Sequence, residues 1–210
     1  MEKIATILLA GGIGCFGLSI VVEAVLPITH LSKIPYKKLE EIAPEATEDF
    51  KDLARRYPAE FKQYYGEASG ESFRTALKLG RDVYIAEACW HCHSQFVRPV
   101  SNEDGRFGKV SYASEYMNEM FLPHLFGTRR VGPDLIRESG RHSNDWHVAH
   151  LFDPTVVVPS SVMPKYTWFF DGEVPNKKGM AVIAYVQWLG SWATPEVIAR
   201  EEKQASAEAK

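Results

Sequence analysis

Apolar and polar positions change rhythm along the chain, and each rhythm predicts a different element. From Ile4 to Val22, nineteen consecutive residues carry no charge. At about 1.5 Å per residue, such a helix spans roughly the ~30 Å hydrocarbon core of a bilayer. A cleaved secretory signal begins in a similar way, and Val22-Glu23-Ala24 is a passable cleavage site. The run is long for a signal, however, and only Lys3 precedes it as a basic residue. A retained single membrane anchor over residues 1–30 is therefore expected. Gly11, Cys15 and Ser19 form a small-residue stripe at helical spacing, where another membrane helix could pack closely.

Residues 31–70 are rich in charge. Thr47 is placed to cap a helix with Phe50, Leu53 and Ala54 on one face, and Pro58 interrupts it. This segment reads as a helical spacer on the membrane surface. A second helix is expected from Ser72 or Thr75 to about Cys89, with Leu77, Gly80, Tyr84 and Ala88 on one face. Gly80, one turn before Tyr84, lets another helix approach. Gly, Pro, Asn and Asp between Ser94 and Arg141 predict loops. SNDWHVAHLF predicts a short helix capped by Ser143 or Asn144 and stopped at Asp153-Pro154. DPTVVVPSSVMPKYTWF is expected to be extended. NKKGMAVIAYVQWLGSW is expected to be the last helix, with Val182, Tyr185, Val186 and Leu189 as its apolar stripe. The pattern gives an all-α domain over 71–195 and a charged tail over 196–210.

Composition narrows the function. A net charge of −3 argues against nucleic acid, which selects a basic face. Three cysteines make no disulfide framework, and Cys15 lies in the apolar run, so Cys89 and Cys92 remain for shared chemistry. Gly12, Gly14 and Gly17 spell a dinucleotide fingerprint, but inside the span, without the strand it requires. Lys3 on one side of the span and Lys33, Lys37 and Lys38 on the other leave its orientation open, and charge counting favours the latter side as cytoplasmic.

The stretch EACWHCHSQFVRP contains Cys89, Cys92 and His93. C-x-x-C-H is the attachment signature of c-type haem. On one helical turn the two thiols face the same way and reach the two vinyl groups of one porphyrin, and the next residue offers its imidazole to the iron. A thioredoxin-like pair would follow a strand, and a zinc site would need two more ligands at matching spacing. For the sixth ligand, Met117, Met120, Met163 and Met180 are candidates. Met163, in VVVPSSVMPKY, is favoured because Pro159 and Pro164 stiffen a strap suited to a fixed ligand. His124, His142, His147 and His150 would give a bis-histidine alternative; His147 and His150, three apart on a short helix, could read as a metal pair but read better as surface or propionate-facing histidines. The Pro133 carbonyl in VGPDL is the expected acceptor for the outer nitrogen of His93. Arg98, Arg129, Arg130 and Arg141 are candidate partners for haem propionates, Arg98 and Arg130 foremost.

With these residues placed, the chain resembles the membrane-anchored mono-haem cytochrome c subunit, subunit II, of cbb3-type cytochrome c oxidases, the C-family haem–copper oxidases. The resemblance runs from about Ser72 to Phe170. It rests on GRDVYIAEACWHCHSQFVRP, GTRRVGPDL, GRHSNDWHVAHL and VVPSSVMPKYTW. The family's blocks read close to GRDxYxxEGCxxCHSQxxRP, GSKRTGPDL, GRxSDDWHxAHL and VVPESxMPxYPWL. Ser160 stands where the strap usually has glutamate, Val131 where a threonine is usual, and the spacer is longer than expected.

The resemblance implies a class I cytochrome c fold on one N-terminal helix, in a bacterial inner membrane, with the haem domain on the periplasmic side. It implies one covalent haem c on Cys89 and Cys92, with His93 and Met163 on the iron. It places Thr128 near a calcium ion at the subunit interface. The expected role is that of a non-catalytic redox subunit. Electrons would come from a further cytochrome c subunit or a soluble donor cytochrome and pass to a catalytic haem–copper subunit that reduces O2. The alternatives are the cytochrome c subunit of a nitric oxide reductase and a free membrane-tethered electron shuttle.

Overall fold

The computed structural model describes residues 2–127, 129–193 and 199. The chain divides into two compact units, Met1–Tyr36 and Lys37–Lys210. The first unit is built on helix α1, Lys3–Leu31, which is apolar and long enough to cross a membrane. It runs past the uncharged stretch read from the sequence. Pro27 has no N–H to donate backward, and the turn just before it, Val21–Val25, widens into a π-helix that absorbs the interruption.

The second unit opens with three helices, α2 (Leu39–Ile42), α3 (Glu48–Arg56) and α4 (Pro58–Tyr65). The Thr47 hydroxyl accepts from the Phe50 amide, as a cap should, and Pro58 begins α4 after the break at Tyr57. The apolar face of α3 does not lie on a membrane surface. Phe50 and Leu53 are fully buried in the same core as Phe73 and Trp188. Phe50 meets Phe61 and Phe73 with ring centroids 4.9 and 5.0 Å away. The segment read as a spacer is thus part of the second unit, which begins at residue 37 and not at 71.

Helix α5, Gly70–Ala86, is capped by Ser69 through the Ser72 amide. It ends earlier than expected because the chain reverses at Ala88, a left-handed residue (φ 57°). This turn starts α6, Cys89–Cys92. The loop region holds two short helices, α7 (Glu103–Phe107) and α8 (Ala113–Tyr116). Helix α9, Asn144–Phe152, is capped by Ser143 through the Trp146 amide. Asp153 ends α9 and caps α10, Pro154–Val157, where an extended chain was expected. Past α10 a turn at Pro159-Ser160, closed by the Ser161 amide on the Val158 carbonyl, leads into a strap without helix or strand from Ser161 to Tyr166. A small antiparallel hairpin, β1 (Phe170–Asp171) with β2 (Val174–Pro175), turns at Gly172 into α11, Lys177–Trp188.

Helices α5 and α11 cross at Gly80. A Cβ on Gly80 would sit 2.1 Å from the Ala181 carbonyl oxygen and 2.7 Å from the Tyr185 Cβ, so only glycine admits this approach. Tyr84 and Tyr185 meet edge to face across the crossing, 5.5 Å apart. The apolar stripe expected on α11 is too narrow: Met180, Ala181, Ile183 and Trp188 are buried as well as Val182 and Tyr185. The helix is enclosed on nearly every side. Its Trp188 indole donates to the Ile42 carbonyl, and Gln187 donates to Asn144, whose amide donates to the Asp49 carbonyl. The earliest and last helices of the unit are thereby joined.

Candidate functional site

A cavity of about 520 Å³ opens between α5, α6, α9 and α11. This volume falls within the range of sites for small molecules and cofactors. The turn at Ala88 lays α6 along one side, so that Cys89, Cys92 and His93 all line the cavity. Cys89 is half-buried, and burial pushes its thiol up to about 12. The Tyr84 hydroxyl, reaching from α5, donates to the His93 carbonyl at 3.2 Å.

His93 is set by the second sequence block. Its Nδ1 lies 2.9 Å from the Pro133 carbonyl, which leaves Nε2 as the free ligand atom. Burial lowers the pKa of His93 and favours the neutral, ligating imidazole. Gly132 lies flat against the ring: a Cβ there would come within 2.3 Å of the His93 Cε1. Backbone bonds from the Gly132 amide to the Cys92 carbonyl, 3.0 Å, and from the Leu135 amide to the Ser94 carbonyl, 2.9 Å, fasten the two blocks together.

Arg98 and Arg130, expected at haem propionates, are engaged elsewhere. Both bind the carboxylate of Glu103, which is only 4% exposed and needs that compensation. Arg130 also donates to Ser94 and to the Phe96 carbonyl, and it lies 3.7 Å from Asp134. Asp134 is fully buried and accepts from Ser94 at 2.6 Å and from the Phe96 and Ile136 amides at 2.7 and 2.9 Å. Burial raises its pKa, partly offset by these bonds. Among the described residues no arginine or lysine lines the cavity. The arginines of HSQFVRP and GTRRVGPDL, Arg98 and Arg130, thus brace the loops that carry His93.

Met163 lines the cavity from the strap. The strap is held by the Met163 amide on the Ser161 hydroxyl, the Tyr166 amide on the Leu151 carbonyl and the Lys165–Asp153 ion pair. Met120 and Met180 are buried in the core, as packing residues. Thr128 lies outside the described residues. Sequence reasoning passed over Glu138, which lines the cavity and accepts from Nδ1 of His142. Its signal was the four-residue spacing to that histidine.

The donor set fits a haem. Two thiols, an imidazole with its outer nitrogen engaged and a thioether converge on one largely apolar cavity. Two buried nitrogens at its wall, His147 Nε2 and His150 Nδ1, lack partners. Residues 58–210 match the family described as cytochrome c oxidase, mono-haem subunit/FixO. The chain belongs to this family. The FixO family is one of oxidase subunits that carry a single haem and associate with a catalytic oxidase subunit in a membrane complex. The apolar α1 fits such a membrane-anchored subunit. No curated protein matches the chain.

Proposed function

We propose that this chain is the electron-relaying subunit of a cbb3-type oxidase. One haem c would be held covalently through Cys89 and Cys92, with His93 Nε2 and Met163 Sδ offered to its iron. The observation that carries this reading is the convergence of those side chains on one cavity, with His93 Nδ1 already engaged by Pro133. When bound, the haem supplies reversible one-electron chemistry.

The chain's own residues set its terms. The two thiols fix its position. Pro133 orients the imidazole and strengthens it as a ligand. The Met163 thioether raises the potential relative to a second imidazole. The apolar wall from α11 excludes water. Electrons would arrive from a sister cytochrome c subunit or a soluble donor and leave for the O2-reducing haem–copper subunit. Anchoring by α1 would hold the haem unit on the periplasmic face of a bacterial inner membrane. Calcium near Thr128 rests on the sequence resemblance alone.

The test is purification of the tagged chain from membranes. Pigment should stay with the chain on denaturing gels, and Cys89→Ser or Cys92→Ser should remove it. A haem–copper subunit should co-purify, and the oxidised protein should show the weak red-end absorbance of a methionine–iron bond. Full haem stain in both cysteine variants would defeat the reading.

A further inference from the structure

A haem has two propionates opposite its vinyl edge, and a propionate taken into a protein needs hydrogen-bond donors. Arg98 and Arg130 are committed to Glu103 and Asp134, and among the described residues no arginine or lysine lines the cavity. Tyr84 is used on the His93 carbonyl, whereas the Ser161 hydroxyl accepts from the Met163 amide and keeps its own proton to donate. The cavity-wall nitrogens that are buried without a partner, His147 Nε2 and His150 Nδ1, lie in a histidine cluster on α9 and the loop before it.

His147 is 5% exposed, lines the cavity, and its Nε2 has no hydrogen-bond partner. That nitrogen stands 3.7 Å from the Glu138 carboxylate, too far for a bond. Glu138, 3% exposed, instead accepts from Nδ1 of His142, which leaves the His142 Nε2 free. Trp146 stacks on both His142 and His150, at 3.8 and 4.4 Å, and so stiffens the group.

We infer that His147 and His142, the latter oriented by Glu138, hold a propionate of the haem. This rests on the haem reading above. An orphaned nitrogen at nearly complete burial is costly, and a carboxylate is the acceptor it lacks. Burial, with His142 and His150 beside it, pushes the His147 pKa down to about 3, so the imidazole is neutral and its Nε2–H tautomer would be the donor. Ligand atoms of Glu138, His142 and His147 lie within 4.8 Å of one another, an arrangement a divalent cation also takes. The carboxylate is favoured because Glu138 and His142 already satisfy each other.

The experiment uses the full-length haem-bearing protein in detergent, with the propionate carboxyls isotopically labelled. Infrared difference spectra on reduction read the labelled carboxylates, and a redox titration reads the potential. His147→Leu should shift one labelled band and lower the potential, because a carboxylate stripped of its donor stabilises ferric iron. His147→Gln, which keeps an N–H, should shift both less. Arg98→Ala should leave the labelled bands in place. The half-exposed His142→Phe gives a second reading should His147→Leu not fold. Wild-type bands and potential in a haem-bearing His147→Leu protein would overturn the assignment. So would equal shifts in Leu and Gln, or a bound divalent metal that Glu138→Gln removes while the bands stay fixed. Absence of covalent haem from the wild type would instead refute the haem reading itself.

Discussion

At the scale of single residues, the site depends on a few backbone positions as much as on the ligands. Ala88 is the clearest. It takes a left-handed conformation that turns α5 into α6 and brings Cys89 to the cavity. A non-glycine residue there costs roughly 1–2 kcal/mol, against roughly 0.5–1 kcal/mol of extra unfolded-state entropy for glycine. Ala88→Gly should therefore stabilise the haem-bearing protein by about 0.5–1 kcal/mol. A rise of about 1–3 °C in the melting point, read by haem absorbance, is expected for a chain of this size. A lowered melting point would mean the turn is not strained. The related blocks carry glycine at this place. That Cys89, Cys92, His93 and Pro133 come together at one cavity could be anticipated from sequence because they lie within recognisable short blocks. The arginines could not, because the carboxylate that engages Arg130 lies far along the chain and pairs across a loop with no periodicity.

Between elements, the α5–α11 crossing carries the fold. The sequence marked one side of it, Gly80 and Tyr84, because a glycine one turn from an aromatic leaves a groove that another helix can enter. At this position the obstacle is backbone, the Ala181 carbonyl, which cannot rotate away. Gly80→Leu should cost about 3 kcal/mol, at the upper end for overpacking. Thermal unfolding of the full chain would read it, with the surviving folded fraction keeping its visible spectrum. An unchanged melting point would mean that the helices do not close there. Caps were equally legible: Thr47, Ser143 and the Asp153-Pro154 stop all mark real ends. The destination of the α3 apolar face was not. An amphipathic stripe on a membrane surface and one against a protein core have the same periodicity, and only tertiary packing tells them apart.

For the whole molecule, that destination changes where the haem unit begins. Leu39, Phe50, Leu53 and Phe61 are each at most 2% exposed. Burying one such side chain is worth about 1.5–3 kcal/mol, so together they rival the ~5–15 kcal/mol by which domains are stable. A soluble chain beginning at Lys37 should fold and hold its pigment in a cooperative transition. One beginning at Gly70 should aggregate or melt without a transition, and cooperative melting of the shorter chain would show that α2 to α4 are dispensable.

The same closure of first helix on last has a consequence in time. A chain made from its N-terminus presents Cys89 and Cys92 well before Val182, Ile183 and Val186 exist to form the far wall of the cavity. Until that wall arrives the thiols stand open. Afterwards the Cys89 thiol is half-buried and its pKa raised, which makes it a poorer nucleophile. On the proposed reading, the order of residues along the chain would set a maturation window, in which a large planar group is joined to the protein first and enclosed by it second.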